Sequence, residues 1–140
     1  MTAQSLIFVR AATSADSDFL ESLMSQAKDE SQLYRGKILT HPAYSDQNFC
    51  LIAGVGDTSM GALEVFKSSE LKWTITFIYV LAECREIGIG DALMQHLLQH
   101  AKASQIEYVE SSAQPGDRAT KNLFERHGLV AQTIIVGKSL

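Results

Sequence analysis

Two glycines in a short turn, Arg85-Glu86-Ile87-Gly88-Ile89-Gly90, are the residues best placed by type and spacing to do chemistry. A β-rich run from Trp73 to Val80 leads into the turn, and an amphipathic run from Asp91 to Ala103 leads out of it. A strand, a glycine loop and a helix N-terminus together make a seat for an anion. Glycine has no Cβ, so the backbone can take unusual angles and come close to a ligand. The first N–H groups of a helix lack internal partners, and the helix dipole favours negative charge there. The stretch predicts a pyrophosphate site; the plainer alternative is a tight strand-to-helix turn with no ligand.

What the stretch lacks narrows the choice. A dinucleotide fingerprint requires a third glycine where Leu93 stands, and a P-loop requires Gly-Lys-Ser/Thr where Gly90 is followed by Asp91-Ala92. The remaining pattern, R-x-x-G-x-G between a strand and an amphipathic helix, resembles the acetyl-CoA motif of the GNAT acetyltransferases. The string from Asp117 to Leu129 is similar to that family's second signature, N-x-x-A-x-x-x-Y-x-x-x-G-F. It carries Asp117 for the usual Asn, Thr120 for Ala, Phe124 for Tyr and Leu129 for Phe. Near the start, Arg10-x-Ala12-Thr13-x-x-Asp16 also recurs in the family pattern.

The resemblance implies a mixed sheet splayed near its middle, with acetyl-CoA as cosubstrate lying in the opening. It implies that the backbone of Ile78, Tyr79 and Val80 meets the pantetheine arm. Arg85, Glu86, Ile87, Gly88, Ile89, Gly90 and Asp91 would cradle the pyrophosphate, with Asp117 and Phe124 also bordering the cofactor. The implied activity is transfer of the acetyl group to a primary amine by direct attack on the thioester. The acceptor is a small molecule, an amino-acid derivative or a protein amine. Such a reaction needs amine deprotonation, positioning, and stabilisation of the oxyanion and the leaving thiolate.

Here the usual Tyr acid is Phe124, which has no proton to give, and the base position of histone-type relatives falls on Thr74. Glu110, in Val109-Glu110-Ser111, resembles the base of ribosomal-protein N-terminal acetyltransferases. Its alternative is an outward-facing strand residue. A second reading of the whole chain follows from Phe124: a catalytically weak or inactive CoA-binding regulatory or interaction domain.

Other reactive side chains point to less. His96 and His100 lie one helical turn apart, but His96-Leu-Leu-Gln-His100 has neither the Glu of a zincin motif nor a third ligand, so a solvated helix face and no metal are expected. Cys84 sits beside the glycine turn with no base near it in sequence. Cys50 and Cys84 lack metal-ligand spacing and do not suggest a disulfide framework.

The elements that position these residues read in order. A short strand, Leu6 to Arg10, precedes a helix capped by Thr13, with Phe19, Leu20, Leu23, Met24 and Ala27 as its apolar stripe. Leu33, Tyr34, Ile38 and Leu39 suggest a second helix ended by His41-Pro42; Asp29, Glu30, Tyr34 and Tyr44 either line an acceptor cleft or sit on a surface connection. A hairpin follows, Phe49 to Val55 and Met60 to Phe66, around Gly54-Val-Gly-Asp-Thr. After a polar turn, Trp73, Ile75, Phe77 and Tyr79 alternate along the central strand. Leu93, Met94, Leu97, Leu98 and Ala101 stripe the helix after the glycine turn. A strand at Ile106 to Ser111, a helix at Asp117 to His127 capped by Gly128, and a last strand at Val130 to Lys138 complete the chain. The fold class is α/β (α+β), in the order β-α-(α)-β-β-β-α-β-α-β.

At 140 residues and 46% hydrophobic, the chain suits one domain over residues 1–140. A net charge of −4 and no basic run argue against nucleic acid or an anionic membrane as partner. No apolar stretch has the length of a bilayer span, and no signal peptide is evident, so a cytoplasmic protein is expected. The sequence leaves a homodimer open.

Overall fold

β-Branched and aromatic runs set the strands, and each hairpin has a turn able to reverse the chain. The computed structural model describes residues 6–36 and 48–140. Its sheet has five strands in the order β1 (Ile7–Ala11), β2 (Asn48–Val55), β3 (Thr58–Lys67), β4 (Lys72–Val80) and β5 (Tyr108–Glu110). The first four pair antiparallel, and β5 joins β4 parallel. Gly56 takes φ +61° in the β2–β3 turn, where Val55 pairs with Thr58. The expected hairpin is present.

Helices cover both faces: α1 (Ser17–Ser31), α2 (Ile89–Ala103) and α3 (Arg118–Arg126). Side-chain alternation along a strand separates two cores. Leu51 and Ala53 of β2 pack with Leu93, Met94 and Leu97 of α2, whereas Ile52 between them packs with Leu23 of α1. The α2 stripe is as the spacing predicts. On α1, Leu23 is buried but Met24 is half-exposed. None of the described helices is long and apolar enough to cross a membrane.

Thr13 starts the first helical segment as expected. It forms a capping box with Asp16 around a 3₁₀ turn, Ser14–Asp16, that runs into α1. Asp16 is buried, and Arg10 grips its carboxylate through two bonds of 2.8 Å, tying β1 to the helix start. The Arg10 contact, the Thr13 N–H and nearby positive charge hold the Asp16 carboxyl well below the usual carboxylate range. A depressed folded-state pKa stabilises the fold above the unfolded value, and this contribution fades as pH falls toward the folded one. Asp16→Ala should cost about 0.5–2 kcal/mol at neutral pH, the range for losing a helix cap. In thermal melts the gap between variant and wild type should narrow below about pH 4. A gap unchanged into acid would show that the carboxylate's charge is not what stabilises.

Three expectations are corrected. Along β4, Glu64 pairs with Phe77 and Val65 with Ile75, so Thr76 is an extra residue in a bulge. The bulge reverses the alternation: Trp73 and Ile75 belong to the α2-side core, Phe77 and Tyr79 to the α1-side core. A bulge re-aims the side chains beyond it. Residues 32–36 form turns rather than a second helix, and Ile38, Leu39, His41, Pro42 and Tyr44 lie outside the described residues. Finally, residues 129–140 form no strand. Their β-branched run has the propensity for one, yet pairs with no strand among the described residues.

Candidate active site

The parallel ladder between β4 and β5 is short: Lys72, Trp73 and Thr74 pair with Tyr108, Val109 and Glu110. Ser111 Oγ then donates to Ile75 O at 2.8 Å, a side-chain bond where the main-chain ladder has ended. Past this point the two segments part and become walls of one cleft of about 800 Å³, with Ile75–Val80 along one wall and Ser111 to Gln114 along the other. The expected splay is present. The cleft also takes Ala27, Glu30, Ser31 and Tyr34 from the α1 side and the N-terminus of α2 with one face of α3 from the other. It therefore reaches both faces of the sheet.

The glycine turn closes the α2 end. Glu86 and Gly88 take φ +72° and +98°, so the chain turns through left-handed conformations before entering α2. Gly88 is the N-cap of α2, and Ala92 N–H bonds back to Gly88 O at 3.0 Å. Residues 88–91, ahead of that bond, line the cleft with the N–H groups that a helix start leaves unpaired. Gly90 serves the packing of the helices. A Cβ there would stand 3.2 Å from Leu123 Cδ2, so its absence lets α3 lie close against the first turn of α2.

Two charged residues of the turn, Arg85 and Asp91, are already partnered. Asp91 accepts from Arg126 at 3.2 Å and meets His127 Nε2 at 2.7 Å, which ties the end of α3 to the start of α2. Arg126 lines the cleft beside the helix N-terminus. Arg85 reaches across the cleft instead of along the loop. Its guanidinium makes two 2.8 Å bonds to Glu30 of α1, its Nε donates to Val80 O at 3.0 Å, and it lies over the Tyr79 ring. Arg85 thus clasps the glycine turn to α1 while still lining the cleft.

The α1 end has different chemistry: a carboxylate, Glu30, and two phenols, Tyr34 and Tyr79. Burial, then the negative charges of Asp117 and Glu30, raise the Tyr34 pKa. Burial and Glu30 raise that of Tyr79, with Arg85 opposing. Both hydroxyls therefore keep their protons at neutral pH.

Ile78, Tyr79, Val80, every residue from Arg85 to Asp91, and Asp117 all reach this one cleft. Asp117 is the N-cap of α3, and its carboxylate accepts from both Thr120 N–H and Thr120 Oγ1, the latter at 2.7 Å. The Asp117 and Thr120 departures from the second signature are therefore paired, the hydroxyl of one answering the carboxylate of the other.

Two predicted residues are not brought in. Glu110 pairs with Lys72 Nζ at 3.1 Å and does not line the cleft, while its neighbour Ser111 does. Adjacent strand residues point to opposite faces. Phe124 is buried in the α2-side core. Thr74, the other base position, is buried and bonded to Ser68. His96 and His100 are exposed, as the solvated face predicts, and the His100 ring also packs edge-on against Phe49 and beside Trp73.

Sequence reasoning missed Gln114, Asn122, Arg126 and Thr76. The buried Gln114 amide donates to Ser31 O and Gly36 O, linking the end of α1 to the far wall. Ala119, Asn122, Leu123 and Arg126 line the cleft at helical spacing, a signal present in the sequence. Thr76, at the bulge, also lines it and donates to Glu64 at 2.8 Å.

The cleft thus joins the N-terminus of α2 on one face of the sheet, through the splay, to a carboxylate and two protonated phenols on the other. The matching family model is the acetyltransferase (GNAT) family, over residues 13–129, and the chain belongs to this family of acetyl-CoA-dependent acyltransferases. Solved structures share its fold. An aminoglycoside acetyltransferase, meta-AAC0020 from an uncultured soil metagenomic sample, in complex with trehalose, is 15% identical; the match covers 97% of this chain and 96% of that one, at a TM-score of 0.72. The tetramutant of BH1408 from Bacillus halodurans is 16% identical over 95% of this chain and 99% of its own, at 0.74. AAC(6')-Iy in complex with the bisubstrate analogue CoA-S-monomethyl-acetylneamine is 14% identical over 96% and 98%, at 0.69. A search of curated proteins finds no match.

Proposed function

We propose that this chain transfers the acetyl group of acetyl-CoA to a primary amine. The observation that carries this reading is the continuity of one cleft from the α2 N-terminus, through the β4–β5 splay, to Glu30 and Tyr34 on the opposite face. The residues fit the cofactor: Gly88 holds an angle that brings backbone rather than side chain to the anion end. Acetyl-CoA, when bound, supplies an activated thioester carbonyl.

The N–H groups of residues 86–91 hold the pyrophosphate, with Arg126 adding positive charge. Ile78, Tyr79 and Val80 flank the pantetheine arm. Glu30, on the acceptor side, attracts an ammonium and orients it toward β4 while remaining clasped to Arg85. Once the ammonium has lost a proton to water, its nitrogen would attack the thioester carbonyl, the C–S bond breaking as the C–N bond forms. Tyr79 would donate a proton to the departing sulfur, the role for which Phe124 has no hydroxyl, and regain one through water from the new amide nitrogen.

The test is release of free thiol from acetyl-CoA across a panel of primary amines. Thiol release should rise with amine concentration above the rate of simple hydrolysis. Acetyl-CoA binding with no amine-dependent release from any member would favour the CoA-binding regulatory or interaction domain instead.

A further inference from the structure

The proton that the acceptor ammonium gives up has no receiver in the expected places, since Glu110 faces Lys72 and Thr74 is buried against Ser68. The β4 bulge supplies another. Thr76 is the extra residue there, and it lines the cleft where β4 and β5 part. Its hydroxyl donates to Glu64 Oε1 at 2.8 Å. With its one proton committed to that bond, Thr76 Oγ1 has only lone pairs left to offer the cleft.

Glu64 lies behind that hydroxyl, on the acceptor side of the sheet. It pairs with Cys50 of β2 and Phe77 of β4, both of which belong to the α1 side. From α1 this side receives Phe19, Leu20 and Leu23, none of which titrates. Among the described residues no Lys, Arg or His forms an ion pair with Glu64, so its charge is not spent on a fixed cation. The Cys50 thiol is pushed up to about 12 by burial, then by the charges of Glu64 and Asp16, so it stays protonated and is no rival base. Asp16 itself is held by Arg10. Glu64 is only half-buried, which leaves it a way to return a proton to solvent.

We propose that Thr76 and Glu64 form a proton relay, with Glu64 the final acceptor of the proton that the acceptor ammonium must lose; the relay rests on the amine-acetylation reading above. Through one water, an N–H bond of the ammonium breaks as an O–H bond forms on Thr76, and the original Thr76 proton passes to Glu64. Ammonium and carboxylate become amine and carboxylic acid, so the pair of opposite charges is removed before attack. Glu64 touches no substrate and acts through Thr76. It returns its proton to solvent before the next turnover.

The test is the pH dependence of kcat/KM for a primary amine of known pKa, read by thiol release. The wild type draws on the abundant ammonium form, so its kcat/KM should be nearly level around neutral pH. Glu64→Gln keeps an oxygen for the Thr76 hydroxyl but removes the basicity. Only the neutral amine then reacts, and kcat/KM should rise about tenfold per pH unit. The loss should be about 100-fold at neutral pH and shrink toward the pKa of the amine. Thr76→Val should reproduce that slope, and Thr76→Ser should restore the wild-type profile. The double variant Glu64→Gln/Thr76→Val should be no slower than the slower single one, because both break the same relay. Acetyl-CoA should raise the melting temperature of every variant as it does that of the wild type, which shows that the fold and the cofactor end persist. A bond that only holds the bulge in place would lower the rate equally at every pH. That outcome, or a folded Glu64→Gln with the wild-type rate and profile, overturns the relay and leaves amine acetylation standing. A wild type that releases no thiol with any amine overturns both.

Discussion

Gly88→Val is expected to remove acetyl-CoA binding while leaving most of the fold in place. Gly88 sits at φ +98°, in the left-handed region that a β-branched residue adopts only under strain. Relief of that strain rotates the peptide groups on either side, and those groups carry the N–H donors at the start of α2. A hydrogen bond to a charged group contributes about 1.5–3 kcal/mol, so misaiming two of them weakens binding by about 100-fold or more. Apart from Ile89, the core residues of α2 (Leu93, Met94, Leu97 and Ala101) lie further along the helix and do not line the cleft. Thermal-shift titration reads both outcomes: acetyl-CoA should raise the wild-type melting temperature by mass action and leave that of the variant unmoved. A folded variant that binds as the wild type does would remove the cofactor from this turn.

Tyr79→Phe should lower kcat by about 100-fold or more, the scale of general acid catalysis, with little change in acetyl-CoA affinity. The ring remains, so its place under Arg85 and in the α1-side core is kept. The direction of the Tyr79 pKa shift adds a pH signature. A phenol whose pKa is raised loses its proton only above the usual tyrosine value, so wild-type kcat should hold through neutral pH and fall only in strong alkali. In Tyr79→Phe that alkaline limb should vanish. Tyr34→Phe is the matching control, since Tyr34 shares the cleft and a raised pKa but lies at the α1 end. An undiminished kcat in Tyr79→Phe would pass the acid role to solvent or to Tyr34.

The features legible in the sequence are those fixed over a few neighbouring residues. The glycine turn, the Thr13–Asp16 capping box, the β2–β3 hairpin and the α2 stripe each depend on local backbone angles or on one helical face. The illegible features depend on partners distant in sequence. Nothing in Trp73 to Val80 announces a bulge at Thr76, because it arises from the offset between β3 and β4. Glu110 and Ser111 look equally suited to a cleft; where the β4 ladder stops decides that Ser111 faces it and Glu110 meets Lys72. Arg85 fits the motif for a phosphate contact, and only the end of α1 lying opposite reveals the Glu30 clasp. Val130 to Lys138 reads as a strand by composition, but a strand also needs pairing, and this run pairs with no strand among the described residues.

The brevity of the β4–β5 ladder divides the molecule along a seam. β2, β3 and β4 are successive hairpin neighbours, closed by contacts local in sequence, whereas β5 and α3 are joined to them by three ladder pairs, the Ser111–Ile75 and Lys72–Glu110 side-chain contacts and packing against α2. Amides in β2 and β3 should then exchange with solvent only on global unfolding, and those of β5 and α3 through a cheaper, partial opening. A ligand lying in the splay touches both sides of the seam, so its binding energy is spent on holding the halves together. Its strongest protection falls on backbone it never contacts, in the outlying half. Cooperativity across the whole fold is then a property of the loaded protein, and turnover alternates between a seamed and a stitched molecule.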